Sequence, residues 1–359
     1  MDDDGLRYIP NTATRLLTLS RVNRDALLHG SLEEIVTSYP PRSRYPHEVL
    51  QGLWSGPTGI AYLMLQVSAH KQPPLEATSI ESSSGSTGPG SGSAATGEKD
   101  QGSGISSSDP FLISGRPPLD WAKAYLAGSR GHNLRLGSHG CGVSDEKLAF
   151  EAVRASVTKD LNDVRSFMSS VSQVIGVEEF ADEMLYGRAG MLYLLRMVRH
   201  WAGRTSGANS DGRVEKLVDP AIAEVSNTII NRGPDWKWHG KRYLGAVHGD
   251  IGIITQLVLT SPELAPQLES ALRRLLDMQL EGGNWPSSEG NSRNGSPGLV
   301  QFCHGAPGFV MGLLSLRKHF PGLQSEIDKA ISRGRGCVWR EGLVRKEPSL
   351  CHGIFGNAL

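Results

Sequence analysis

FCHGAPGFVMGLL, residues 302–314, sets a short turn of small and polar residues directly before an apolar run. Two glycines three positions apart frame that turn, and the same G-x-x-G spacing returns along the chain. It is found at 56–59 (GPTG), 137–140 (GSHG), 187–190 (GRAG), 249–252 (GDIG), 305–308 (GAPG) and 353–356 (GIFG), six copies in all. From the second copy onward the intervals run from 48 to 62 residues, the scale of a helix-pair repeat. The excess of glycine, 43 of 359 residues, is thereby tied to an architecture.

Most copies lead into apolar helical stretches such as GMLYLLRMV and GFVMGLLSL. Their apolar residues lie almost all round the helix, as expected of helices buried on most sides. The segments between copies, for example 146–163 and 262–279, are charged and amphipathic. The expected fold is therefore all-α, with inner apolar helices alternating with outer amphipathic ones. The glycines fit turns where backbones approach closely or φ is positive. Stacked pairs build either an open solenoid or a closed (α/α) toroid, and periodicity does not choose between them. A toroid is preferred because its motif turns would converge on one mouth, where several carry His or Cys.

One domain is expected over residues 1–359. Within it, residues 77–117 are read as a disordered Gly/Ser-rich insert too poor in apolar residues to fold alone; this insert accounts for the 81-residue spacing of the first two copies. The sequence stops at Asn357-Ala358-Leu359, just past the last G-x-x-G. The final repeat is accordingly expected to be truncated, without its inner helix.

Lys plus Arg and Asp plus Glu both number 37, a balance that argues against a surface built for nucleic acid or anionic lipid. The start, MDDDGLRYIPN, lacks the basic-then-apolar pattern of a secretory signal, and a cytoplasmic location is expected. No apolar run reaches the ~18 residues of a membrane span; peripheral association through a surface or a partner stays open. Four scattered cysteines, Cys141, Cys303, Cys337 and Cys351, do not make a disulfide framework in a reducing compartment. Taken singly, each reads as a buried free thiol.

Two copies open with one dipeptide: Cys303-His304-Gly305 and Cys351-His352-Gly353. If equivalent turns share a mouth, the two sulfurs meet there despite the 48 residues between them. Two thiolates with an imidazole bind Zn²⁺ well and leave a fourth position open. A substrate thiol in that position is deprotonated and kept nucleophilic. Cys141 and Cys337 have no such dipeptide and are read as structural.

YGRAGMLYLL, VHGDIGI, GGNWPSS, FCHGAPG and LCHGIFGNA together resemble the LanC-like family, eukaryotic relatives of the bacterial lanthionine cyclases. The resemblance runs from about Gly52 to the end, outside the Gly/Ser-rich insert. It implies an α/α toroid with zinc held by Cys303, Cys351 and His352. It also implies thiol chemistry, since bacterial members add cysteine thiols to dehydroamino acids. Eukaryotic members bind glutathione and are associated with adding it to dehydrated residues in proteins.

On that resemblance, a thiolate would attack the β-carbon of a dehydroalanine or dehydrobutyrine, and a general acid would then protonate the α-carbon. His248 matches the family's catalytic histidine; a capping or core histidine is the alternative. Glu183, four residues before Gly187, stands where bacterial cyclases carry Asp, to orient a histidine or the substrate. An ordinary first-turn glutamate is its alternative. His304 replaces the bacterial Tyr, either as a donor to the enolate oxygen or as a support for the metal ligand.

Arg188 and Lys346 are candidates for holding substrate anions: glutathione carboxylates, or a phosphate on a phosphorylated peptide or protein. Solvated surface cations are the plain alternative. Trp285 is expected either to line the cleft or to be a buried aromatic. The arginine that bacterial cyclases carry before the first zinc cysteine has no counterpart in GLVQF, residues 298–302. A non-catalytic zinc- and glutathione-binding scaffold is the competing function. A glycosidase ranks low, because the motif turns carry few acids.

Overall fold

The computed structural model describes residues 6–14, 21–70, 111–131, 134–137, 140–203, 211–290 and 298–358. Among the described residues twelve α-helices follow one another: α1 (Arg21–Ser38), α2 (Gly56–His70), α3 (Pro118–Ala127), α4 (Glu146–Thr158), α5 (Leu161–Val174), α6 (Arg188–Gly203), α7 (Arg213–Arg232), α8 (Asp250–Thr260), α9 (Ala265–Asp277), α10 (Ala306–Leu316), α11 (Gln324–Glu341) and α12 (Ile354–Asn357). Among the described residues β-structure is limited to isolated bridges.

Helices α2, α4, α6, α8 and α10 pack one on the next as an inner layer, each backed by the helix that follows it in the chain. The result is the expected α/α toroid. The layers follow from side-chain pattern. On α9, Leu268, Ala271, Leu272 and Leu275 are buried at helical spacing, and the opposite face carries Glu269 and Arg273, joined by a salt bridge. On α10, Phe309, Val310, Leu313 and Leu316 are all buried, because neighbours press on it from several sides.

The second glycine of each motif answers a packing demand. At Gly59, Gly190, Gly252, Gly308 and Gly356 a Cβ would come within 3 Å of the carbonyl oxygen six residues earlier, those of Leu53, Met184, Ala246, Phe302 and Leu350. The turn curls back under the start of its own helix, and a side chain there would collide with backbone. Of the motif glycines, positive φ is found at Gly56 (84°), Gly137 (71°), Gly140 (119°) and Gly305 (114°).

The copy at 137–140 departs from the pattern. Its glycines precede no helix. Instead α4 begins at Glu146 and is capped by Asp145, whose carboxylate accepts from Leu148 N at 2.9 Å. The segment 146–163, expected to be one outer helix, is inner helix α4 followed by the start of outer helix α5. They are separated by Lys159 in a left-handed conformation (φ 56°) and by the Asp160 cap. Gly140 and Gly142 serve another purpose, leaving room for the backbone of residues 184–186 in the next turn.

Successive turns are bonded into a rim. Leu53 N donates to Val143 O (2.9 Å), Ser144 N to Leu185 O (2.9 Å), Met184 N to Val247 O (3.0 Å) and Cys303 N to Cys351 O (3.0 Å). Residues 7–9 also pair with residues 343–345: Ile9 N donates to Leu343 O (2.7 Å) and Arg345 N to Arg7 O (2.9 Å).

Of the expected insert 77–117, residues 77–110 lie outside the described residues. Residues 111–117 belong to the packed structure: Ile113 is buried, and its carbonyl accepts from Trp121 Nε1 at 2.8 Å. No described helix is long and apolar enough to cross a membrane.

Candidate metal and proton-transfer site

The turns before α10 and α12 bring Cys303, Cys351 and His352 together, with their ligand-capable atoms all within 4.8 Å of one another. Backbone explains the meeting, because the Cys303 N–H to Cys351 carbonyl bond locks the two turns side by side. Asn284, in the NWP segment, fixes the first turn by accepting from Ala306 N at 2.8 Å. Asn357 fixes the second by donating to Val300 O (2.8 Å) and Gly342 O (2.9 Å).

The two sulfurs differ in charge. The hydrogen bond from Cys303 and the neighbouring His352 pull the Cys351 thiol down to about 6, against the resistance of burial. Cys303 moves the opposite way, because its proton is held by Cys351 and it is buried. His352 is raised by its bonds to the Cys351 sulfur and to Glu347. Its Nε2 lies 2.8 Å from Glu347 Oε1, leaving Nδ1 for the sulfur side. Two sulfurs and an imidazole nitrogen at this spacing are a donor set for tetrahedral Zn²⁺ with one position spare. Glu347 supplies the carboxylate that such histidines commonly bond through their second nitrogen.

Beside this set lies a second pair, Glu183 and His248. His248 Nδ1 is 2.6 Å from Glu183 Oε2, and Glu183 is 1% exposed. The carboxylate also accepts from the backbone N–H groups of Leu185 (3.0 Å) and Tyr186, which fixes its position. A carboxylate on Nδ1 selects the tautomer that leaves Nε2 for chemistry. Trp238 lies flat on the imidazole, with ring centres 3.9 Å apart and planes 5° apart.

His304 sits 6.0 Å from His248, centre to centre. Burial, together with the charges of His248 and Lys346, pushes it down to about 4, so it is a neutral imidazole at ordinary pH. Its Nδ1 is buried with no hydrogen-bond partner among the described residues. Lys346 is exposed and close enough for its charge to act on both His304 and Cys303.

Arg188 has a different setting from the one expected of an anion holder. It is 3% exposed and turned back onto its own loop, bonding the carbonyls of Val177 (2.6 Å) and Phe180 and the carboxylate of Asp182 (2.9 Å). Both terminal nitrogens thus hold the loop of residues 177–182 in shape. Trp285 is the buried aromatic of the two readings, fully covered, stacked on Phe309 at 4.3 Å and donating to Leu275 O. Cys141 and Cys337 are buried, and burial raises both to about 12, consistent with inert core thiols. Within the stretch 298–302, Gln301 is buried and its Oε1 lies 3.7 Å from Cys303 Sγ.

Sequence reasoning missed Glu347 and Trp238. A carboxylate five residues before His352 was a weak signal for the first. The aromatic-rich WKWHGKRY, residues 236–243, was the only signal for the second.

The model of the family described as "Lanthionine synthetase C-like protein" matches residues 151–359. A zebrafish (Danio rerio) protein named "Glutathione S-transferase LANCL1" is 28% identical over 217 residues, covering 55% of this chain and 49% of that protein. "LanC-like protein GCL1" of Arabidopsis thaliana is 32% identical over 182 residues, covering 49% of this chain and 40% of that protein. The aligned chain thus spans half or less of each relative's length. The chain belongs to the lanthionine synthetase C-like family.

Proposed function

We propose that this chain adds a thiol, glutathione by preference, to dehydroalanine or dehydrobutyrine residues of proteins or peptides, with zinc as cofactor. The observation that carries the reading is the adjacency of two sites: a Cys303, Cys351 and His352 donor set, and a Glu183–His248 pair that shares its mouth. The name of the zebrafish relative supports glutathione as the thiol.

Cys303, Cys351 and His352 would hold the metal, which supplies a Lewis-acid position that keeps a bound thiol ionised near neutral pH. Sulfur then bonds to the β-carbon of the dehydroamino acid, and the π-electrons move onto the carbonyl as an enolate. His248 carries the proton that closes the reaction. Glu183 orients the ring through Nδ1, and Nε2 takes up the proton that the thiol loses and delivers it to the α-carbon. Trp238 fixes the plane of the imidazole from one face. His304, held neutral, offers an uncharged N–H rather than a competing cation. Lys346, the exposed cation beside the thiols, is suited to a carboxylate of glutathione or a phosphate of a peptide substrate. A reducing compartment such as the cytoplasm keeps Cys303 and Cys351 available as ligands.

The test is turnover. Purified zinc-loaded protein, glutathione and a dehydroalanine peptide should yield the glutathione adduct by mass spectrometry. His248→Ala should lower the rate by about 10²- to 10⁴-fold, the usual share of a proton-transfer group, with zinc content unchanged. Stoichiometric zinc and glutathione binding without any adduct would overturn the enzyme reading and leave a binding module.

A further inference from the structure

Behind the turns that carry the site, the inner helices line an open cavity of about 400 Å³, within the size range of small-molecule pockets. Its floor is the back of the rim, formed by residues such as Val143, Met184, Val247 and Phe302. Leu259 and Met311 continue the apolar lining along α8 and α10. Two hydroxyls on these walls are already committed: Thr255 Oγ1 donates to Ile251 O, and Ser315 Oγ to Met311 O.

Arg196, on α6, is the charged side chain of this lining. Its bonds go to neutral groups: Nη1 donates to Thr260 Oγ1 (2.6 Å) and Gln256 O (3.3 Å), and Nη2 to Gln256 Oε1 (2.7 Å). The Tyr193 ring lies 5.4 Å from its Cζ. No carboxylate bonds it among the described residues. Three bonds leave part of its five-donor fork unspent.

The other deeply set arginines are treated differently. Arg130 is paired with Glu146 at 2.9 Å, Arg188 with Asp182 at 2.9 Å and Arg242 with Asp250 at 2.7 Å. Arg196 is half-buried, and a cation partly removed from water without a counter-ion is costly, because lost hydration is not repaid by a partner charge. Burial accordingly lowers the Arg196 pKa. Among the described residues, carboxylates meet this cost at Arg130, Arg188 and Arg242, whereas Arg196 at the wall of the apolar cavity is bonded to neutral groups alone.

We infer that the lumen binds a small amphiphile with one anionic head, of the acyl carboxylate class. Arg196 holds the carboxylate, and the apolar body lies along Leu259, Met311 and Phe302. This site is separate from the thiol chemistry: it uses no metal ligand and neither His248 nor Glu183.

The experiment is calorimetric titration of the zinc-loaded full chain with decanoate, with 1-decanol as the uncharged control. Decanoate should bind one per chain, and 1-decanol about tenfold or more weakly, the usual effect of a charge-assisted bond. Arg196→Met should remove that preference, and Met311→Trp, which fills the lumen, should remove binding of both. Thermal melting checks that each variant is folded; should Arg196→Met fail to fold, Met311→Trp and the alcohol control decide alone. Cys351→Ala, which strips the proposed metal site, should bind decanoate as wild type does, so failure of the thiol chemistry leaves this result untouched. Equal affinity for decanoate and 1-decanol, unsaturable uptake, or unchanged binding in Met311→Trp would overturn the inference.

Discussion

The turns at 303–305 and 351–353 share the sequence Cys-His-Gly, yet the fold puts them in opposite states. Behind the first stands α10, eleven residues long and buried along most of its length. Behind the second stands α12, a four-residue helix in which only Gly356 is buried and Phe355 is 53% exposed. The first turn therefore presents a buried thiol held protonated and a neutral His304. The second presents a half-buried thiol drawn towards thiolate and an exposed His352 drawn towards imidazolium. A motif specifies which atoms are offered; the helix behind it decides how wet they are and which charge they carry.

The largest expected effect comes from breaking either turn as a ligand. Cys303→Ala and Cys351→Ala should each abolish stoichiometric zinc, measured by elemental analysis beside wild type, because two remaining donors do not hold a structural or catalytic zinc. Retention of about one zinc per chain in either variant would remove that sulfur from the donor set. Stability should separate the two variants as well. Cys303→Ala empties a packed position, whereas Cys351→Ala alters a half-exposed one, and thermal melting without metal should register the first change more strongly.

Without metal, alkylation sharpens the same contrast. The thiolate is the reactive form, so at pH 7 iodoacetamide should label Cys351 first, at least about tenfold faster than Cys303. The Cys351 rate should fall as pH drops through about 6, where its proton returns. Cys303, Cys141 and Cys337, all raised by burial or by a thiol neighbour, should stay unlabelled over that range. Peptide mass mapping reads the order, and equal labelling of Cys303 and Cys351 would dissolve the asymmetry.

The helix-pair architecture was legible in the glycines because their constraint is local. A turn that folds under its own helix bars a Cβ wherever a carbonyl sits six residues back, so the spacing repeats in sequence. It misled at 137–140, where Asp145 takes over the start of the helix and the glycines make room for a neighbouring turn. The Cys-His dipeptides were legible for the same local reason, as repeats within a repeat. Contacts between distant turns were not. Glu183 reaches His248 across 65 residues, and only family resemblance joined them in sequence. The surroundings of Arg188 were not legible, because a cation beside a motif glycine looks available, while the loop that bonds its guanidinium is set by three-dimensional path. Trp238 on His248 was invisible for a like reason.

The smallest effect expected is at Glu347, and it tests why the exposed turn works as a half-site. His352 has no buried surroundings to hold its ring; its orientation rests on the 2.8 Å bond from Nε2 to Glu347 Oε1 and on the Cys351 sulfur. His304, in the matching place of the first turn, is held by packing instead. Glu347→Gln keeps a hydrogen-bond acceptor while removing the charge, so zinc affinity measured by competition with a chelator should fall about tenfold, the lower end for an outer carboxylate. Glu347→Ala should fall further, because the ring is then free to turn. Matching substitutions at His304 should leave zinc affinity nearly unchanged, since that imidazole contributes no ligand. If Glu347→Ala binds zinc as tightly as wild type, the second turn owes its geometry to the Cys303–Cys351 backbone bond alone, and the exposed carboxylate is a surface ion pair of little worth.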